Sequence, residues 1–351
     1  MDKKNPRITV LMPVYNVESF IKESIVSILN QSYSDFELLI IDDASTDDTV
    51  NRIIEFSDSR IKLIKKPKNL GLIDSLNLGI KLAKGQYIAR MDGDDISTPD
   101  RFQKQLDILL NNPEIKACGC WLQRFGNHGK IIKHKEFHEE IVAELLMQCS
   151  MSLGSVMFEK KALESYSFDE NKKHVEDYDF WSRVSWICKL YNIQEVLYYY
   201  RSHDTQVTKL FYDMQRKGDL EIKLFLFKKL NYDNEVFTDD LIAKMLWMTQ
   251  KISMNDLAKF FKWIKQLALK NKKLKIYSQK ELNDVLQIIK RRLVFELYFE
   301  QTAIGLDKKW RLQALAYLPI EELLFVLTGK TREILKTKVI SKFNKNAVLK
   351  N

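Results

Sequence analysis

The N-terminal part of the chain alternates short, uninterrupted apolar runs with stretches whose apolar residues recur three and four positions apart. Ile8–Met12 is rich in β-formers and reads as a strand that Pro13 ends, because proline cannot donate to a sheet ladder. The loop Pro13–Asn16 follows, and Glu18 to Asn30 places Phe20, Ile21, Ile25, Ile28 and Leu29 on one helical stripe. The pattern then repeats as a strand Phe36–Ile41, a polar turn Asp42–Asp47, and a helix Asp48–Phe56 that Ser45, Thr46 or Asp47 can cap. A third unit runs from strand Ile61–Ile64 through the turn Asn69-Leu70-Gly71 to a helix reaching Lys84, stopped by Gly85; strand Tyr87–Met91 comes next. Strands that are apolar along their whole length and separated by helices predict a parallel sheet covered on both faces. The loops after these strands, around Asn16, Asp43, Asn69 and Asp94, then converge on one cleft at the carboxyl edge of the sheet.

Further on, Lys116–Leu122 reads as a strand, Glu139–Cys149 as a helix, Val156–Phe158 as a strand, Glu176 to about Lys189 as a helix and Gln194–Tyr200 as a strand. From about residue 209 the spacing is helical throughout, over Leu220–Leu230, Asp240–Ile252, Asp256–Leu269, Gln279–Glu300 and Lys308–Leu318. Trp247, Trp263 and Trp310 are expected in the core or an interface there. Two domains follow, residues 1–208 as an α/β domain and residues 209–351 as a helical, basic one.

Composition changes this picture in two places. With 45% hydrophobic and 29% charged residues the chain is ordinary globular material, and the charge of +9 is unevenly spread. Residues 1–200 carry 26 Lys and Arg against 30 acids, whereas residues 201–351 carry 30 against 17. The basic half is therefore expected to meet something anionic, whether a membrane surface, a lipid diphosphate or nucleic acid. Its last segment, Lys330–Asn351, holds seven Lys and Arg and one acid, interleaved with Ile334, Leu335, Val339, Ile340 and Phe343. Such a segment lies on an anionic membrane or is simply a solvated tail. The start of the chain lacks the apolar stretch of a signal peptide, and no run of about 18 apolar residues occurs, which places the protein in the cytoplasm. Cys118, Cys120, Cys149 and Cys188 form no Cys-x-x-Cys pair and read as reduced thiols.

The candidate chemistry begins where the strand Tyr87–Met91 runs into Asp92-Gly93-Asp94-Asp95. Closely spaced carboxylates at a strand's end can hold a divalent cation, and with it a diphosphate of their own sign; an ordinary Asp-Gly turn is the alternative. No Gly-x-Gly-x-x-Gly follows the first strand and no Gly-Lys-Ser/Thr occurs, so the dinucleotide fingerprint and the P-loop are both missing. At Glu176-Asp177-Tyr178-Asp179-Phe180-Trp181 the helical spacing puts Asp177 and Trp181 on one face, an acid beside an aromatic on which a sugar ring could pack. The acids of that first turn could equally serve only to complement the helix dipole.

Six motifs in order resemble the family 2 glycosyltransferases of GT-A fold: Pro13-Val14-Tyr15-Asn16, Asp42–Asp47, Asn69-Leu70-Gly71, Ala89–Asp95, Glu176–Trp181 and Tyr200-Arg201-Ser202-His203. The resemblance covers roughly residues 7 to 208. It implies a mostly parallel sheet with helices on both faces, and a helical appendage that the family does not specify. It also implies that Pro13, Tyr15, Asn16, Asp43 and Asn69 hold the nucleotide, that Asp92 faces the ribose, and that Asp94 ligates Mn²⁺ or Mg²⁺, with His203 able to reach the metal. Asp177 is implied as the general base of an inverting transfer, with Trp181 beside the sugar. Many relatives carry Arg immediately before the residue matching Asn77, where this chain has Leu76. Arg90, Arg101 and Arg201 are the candidates to replace it.

The expected function is transfer of a sugar from a nucleoside diphosphate, UDP above all, to a saccharide acceptor of a bacterial surface polysaccharide, carried on a lipid diphosphate. The expected location is the cytoplasm, including the inner face of the plasma membrane. The rival readings are a non-catalytic nucleotide-sugar or nucleic-acid binder and an Asp-x-Asp phosphatase. The phosphatase would use Asp92 as nucleophile, but it wants Thr or Val where Ile96 stands and leaves Asp43 and Asp177 unexplained.

Overall fold

A computed structural model describes residues 5–126, 129–202, 212–247, 250–299 and 307–328. The chain opens with β1 (Ile8–Val14), α1 (Ile21–Leu29), β2 (Phe36–Asp42), α2 (Thr49–Ile54), β3 (Ile61–Lys65), α3 (Leu72–Leu82) and β4 (Tyr87–Arg90). These strands pair in parallel in the order β3-β2-β1-β4. Alternate residues point to opposite faces. Val10, Met12, Leu38 and Ile40 pack with Ile21, Ile25 and Ile28 of α1, while α3 covers the other side.

Pro13 does not end the first strand. It lies within β1, paired with Ile41, and is tolerated for a geometric reason. Val14 accepts the Asp43 N–H on the β2 side, so Pro13, one residue earlier, turns its missing N–H toward β4, whose pairing with β1 has already ended at Arg90.

Beyond β4 the sheet is mixed. The chain continues as β5 (Ile96–Ser97), α4 (Arg101–Asn111), β6 (Ile115–Gly126), β7 (Ile131–Ile132), α5 (His138–Glu144), β8 (Met157–Glu159), α6 (Lys160–Leu163), α7 (Glu176–Val184) and β9 (Lys189–Ser202). Among the described residues the order completes as β4-β8-β6-β9-β5, with β7 on β6. Strand β8 is antiparallel to both its neighbours, and β9 runs parallel to β6. Two helices are shorter than their apolar spacing predicts. Helix α5 tightens after Glu144, where the Leu146 and Met147 N–H groups bond three residues back. Helix α7 ends at Val184 because the chain must turn by Lys189, which pairs with Ile115 as β9 begins.

Contacts divide the chain into two compact units, Met1–Ile222 and Lys223–Asn351. The division falls within α8 (Tyr212–Lys228), and the boundary expected near 208 lies outside the described residues. The second unit comprises the rest of α8 with α9 (Asp239–Trp247), α10 (Met254–Leu274), α11 (Gln279–Tyr298), α12 (Lys308–Ala314) and α13 (Ile320–Thr328). Trp263 is buried there, edge-on to Phe227 and Tyr232, and Ser253 and Asp256 close a capping box at the start of α10. The basic segment 330–351 lies outside the described residues.

Candidate functional site

The loops at the carboxyl ends of β1 to β4 come together along one edge. Asn16, at a positive φ of 51° that asparagine tolerates, is tied to the loop after β2. Its side-chain oxygen accepts the Thr46 N–H at 2.8 Å, and its backbone N–H donates to the Ser45 hydroxyl at 3.0 Å. The Asp47 carboxylate accepts the Thr49 N–H at the start of α2, so of the three capping candidates it is the one engaged there. Pro13 is buried in the sheet, while the Tyr15 ring is 46% exposed beside Asn16.

Asp43 is buried and heavily engaged. Its Oδ1 accepts the Leu70 N–H at 3.0 Å and its Oδ2 the Gly71 N–H at 2.7 Å, which holds the turn after β3 in place. Gly71, with φ +91°, supplies a backbone conformation that other residues rarely adopt. Lys66, also buried, bridges Asp43 at 2.5 Å and Asp74 at 2.6 Å and donates to the Ser75 hydroxyl at 3.1 Å. Asn69 sits exposed at the tip of the same turn.

At the end of β4, the buried Arg90 guanidinium pairs with the Asp92 carboxylate. The Asp92 N–H donates to the Tyr198 hydroxyl at 3.1 Å, and that hydroxyl donates back to the Asp92 carboxylate at 3.4 Å. A Cβ on Gly154 would come within 2.4 Å of that carboxylate and 2.9 Å of the Tyr198 hydroxyl, so a larger residue there would have to displace them. Arg201, on β9, fastens the rest of the loop. Its backbone N–H donates to the Asp95 carboxylate at 2.7 Å, its Nε to the Asp94 carbonyl at 2.7 Å, and its far nitrogen to Glu23 at 2.6 Å. Burial, followed by the charges of Asp94 and Asp92, lifts the Asp95 carboxyl well above the usual carboxylate range.

The donor chemistry of this loop suits a hard cation. Asp94 is partly exposed, and the repulsion among three neighbouring carboxylates is what a divalent ion would relieve. Among the described residues no three His, Cys, Asp or Glu side chains converge to hold an ion by themselves. An ion placed here would need further ligands beyond these carboxylates, such as water or substrate phosphates. His203, the second metal ligand expected from the sequence, lies outside the described residues. Of the three arginine candidates to replace the one missing at Leu76, Arg101 is fully buried and spends its guanidinium on the Arg90 carbonyl at 2.9 Å. Arg90 and Arg201 are the two that engage the acidic loop.

Asp177 lies in the first turn of α7, partly exposed. Burial raises its pKa, opposed by the Tyr178 N–H, which donates to it at 2.7 Å, by the Cys149 side chain and by the Arg90 charge. Burial and the Asp177 charge push the adjacent Glu176 up to about 7, and Arg90 again acts downward. Asp179 points elsewhere, with its carboxylate accepting from Arg183 at 2.9 Å. Trp181 shares a helix face with Asp177 but offers no surface to a sugar. Its ring is fully buried, edge-on to Phe180, because α7 is covered on every side from Tyr178 to Ser182. Asn77 supports the segment before α7 by exchanging two 3.0 Å hydrogen bonds with the Phe168 backbone.

Four residues of this arrangement carried no signal of their own in the sequence. Tyr198 and Gly154 are brought to Asp92 by the pairing of distant strands, Asp95 reads as one more acid of a turn, and Lys66 looks like any surface lysine.

The profile of glycosyl transferase family 2 matches residues 9–168. An uncharacterized glycosyltransferase of Haemophilus influenzae is 34% identical over 233 residues, covering 62% of this chain and 72% of that protein. The UDP-Glc:alpha-D-GlcNAc-diphosphoundecaprenol beta-1,3-glucosyltransferase WfgD of Escherichia coli is 33% identical over 177 residues, covering 50% and 69% respectively. Among solved structures, the mannosyltransferase PcManGT of Pyrobaculum calidifontis, in complex with GDP-Man and Mn²⁺, superposes with a TM-score of 0.52 at 14% identity. That match covers 96% of this chain and 89% of the other.

Proposed function

The chain belongs to glycosyl transferase family 2, and from that premise we propose that it moves a sugar from a nucleoside diphosphate to a saccharide hydroxyl with inversion. One observation carries the reading. Arg90 pairs with Asp92 and its charge also bears on Asp177 and Glu176, which supports a reading in which the acidic loop and the candidate base act on one substrate. In this reading Tyr15 lies against the nucleobase, Asp43 accepts from it, the loops of Pro13, Asn16 and Asn69 wall the pocket, and Asp92 faces the ribose. Asp94, with His203, is the place for Mn²⁺ or Mg²⁺, which when bound would neutralise charge gathering on the leaving diphosphate. Asp177 takes the proton of the acceptor hydroxyl as that oxygen closes on the anomeric carbon. A single base and a single displacement invert the configuration without a covalent sugar intermediate.

The donor we propose is a UDP-sugar and the acceptor a saccharide on a lipid diphosphate, both drawn from the name of the Escherichia coli relative. That acceptor suits synthesis of a bacterial surface polysaccharide on the inner face of the plasma membrane. The domain of residues 1–208 performs the transfer, and the basic domain of residues 209–351, with the segment 330–351, approaches the anionic surface. No helix among the described residues is long and apolar enough to cross a membrane. The test is thermal unfolding with UDP, GDP, CDP and p-nitrophenyl phosphate, with and without Mn²⁺, followed by donor hydrolysis. Metal-dependent stabilisation by a nucleoside diphosphate, with slow hydrolysis of its sugar, is expected. Cleavage of p-nitrophenyl phosphate instead would favour a phosphatase.

A further inference from the structure

Lys66 is buried, and its ammonium is used up inside the protein. Its three protons have three partners: Asp43 at 2.5 Å, Asp74 at 2.6 Å and the Ser75 hydroxyl at 3.1 Å. The consequence falls on Asp43. A carboxylate offers about four lone-pair directions. Here Oδ1 is filled by the Leu70 N–H and Lys66, and Oδ2 accepts the Gly71 N–H, which leaves one acceptor direction on Oδ2. The group cannot rotate without losing the ammonium and two backbone donors together. Whatever meets that last direction must bring a hydrogen-bond donor.

We propose that Lys66 helps determine which nucleobase the site accepts, by fixing Asp43 so that a base whose ring nitrogen carries a proton pairs with it best. This rests on the nucleotide-sugar reading above. Uracil and guanine present such an N–H, whereas cytosine and adenine present a bare ring nitrogen at that position and must shift by one position to offer their exocyclic amine instead. A site built around a fixed polar partner discriminates strongly, because the wrong ligand leaves buried groups unpaired.

The same geometry predicts an inversion. In Asp43→Asn the amide oxygen stays toward Lys66 and Leu70, since the flipped orientation would leave two donors without an acceptor, one of them charged. The NH₂ group then takes the Oδ2 position at the expense of the Gly71 bond and offers a donor to the ligand. That matches the bare nitrogen of cytosine.

The experiment is calorimetric titration of UDP, GDP, CDP and ADP into the full chain with Mn²⁺ present. The unaltered protein is expected to bind UDP or GDP at least about tenfold more tightly than CDP and ADP. In Lys66→Met that ratio falls toward one. In Asp43→Asn the order reverses in favour of CDP, and in the double variant Asp43→Asn with Lys66→Met the preference disappears because the amide is free to turn. Should Lys66→Met fail to fold, Asp43→Asn decides alone, since it leaves Lys66 in place. An unchanged preference in either single variant overturns the role of Lys66 while leaving the nucleotide site intact. Failure of all four nucleotides to bind overturns the nucleotide-sugar reading itself, and this inference with it.

Discussion

Arg90 and Asp92 form an ion pair in which the guanidinium side chain is only 3% exposed and the carboxylate 34%. The arginine is thus an internal counter-charge for the acidic loop, and its field reaches Asp177 and Glu176 as well. A buried cation favours the ionised form of every carboxylate around it.

Arg90→Met therefore allows the Asp177 pKa to rise further. A base works only when ionised, so the acidic limb of the pH–rate profile, taken at saturating donor, should move to higher pH in the variant. An unmoved limb would mean that the ionisation governing the rate is not one that Arg90 influences.

Glu176 gives a stability prediction. Its pKa is about 7 in the folded protein against an ordinary 4.5, so folding favours its protonated form. The stabilisation from this group is fully present below about 4.5 and is lost as the pH rises through about 7. Thermal unfolding of Glu176→Gln should accordingly match that of the unaltered protein near pH 5 and exceed it near pH 8. Equal melting temperatures at both would show that the carboxylate is not strained by burial.

Asp94→Asn keeps the shape of the side chain and removes the charge that would face a cation. Calorimetry should show UDP binding in Mn²⁺ fall to the level seen in chelator. Affinity that still rises with Mn²⁺ would move the metal to another residue.

The parts of this molecule that could be read from its sequence are those in which one element carries the whole signal. Strands β1, β2 and β4 are largely apolar because both their faces are covered, edge strand β3 alternates lysines with half-buried apolar residues, and the acidic loops follow from where the strands stop. Strand β9 begins five residues before the expected Gln194, since its polar residues alternate with apolar ones and only the pairing with β6 reveals their place. Spacing put Trp181 on the face of Asp177 but could not say that the helix is covered on every side one turn further on. Lys66 was hidden for a related reason: a lysine becomes an internal ligand only once Asp43, Asp74 and Ser75 have been folded around it.

The C-terminal charge gives a prediction of a different kind. Residues 201–351 carry 30 basic residues against 17 acids, seven of the basic ones in Lys330–Asn351. Deleting 330–351 should reduce co-sedimentation with anionic vesicles at low salt while leaving UDP affinity unchanged, and high salt should narrow the difference. Equal sedimentation of both forms at every salt concentration would make the segment a solvated tail.

The most direct test compares Asp177→Asn with Asp179→Asn for transfer, or for donor hydrolysis where no acceptor is in hand, alongside UDP-sugar affinity. Asp179 is spent on Arg183, so its variant should lose about 1 kcal/mol of stability and little rate. Asp177→Asn should bind the donor as before and lose on the order of 10²-fold or more in rate, because only help to the transition state has been removed. Full activity in Asp177→Asn, with loss in Asp179→Asn, would contradict the assignment of the base and with it the proposed mechanism.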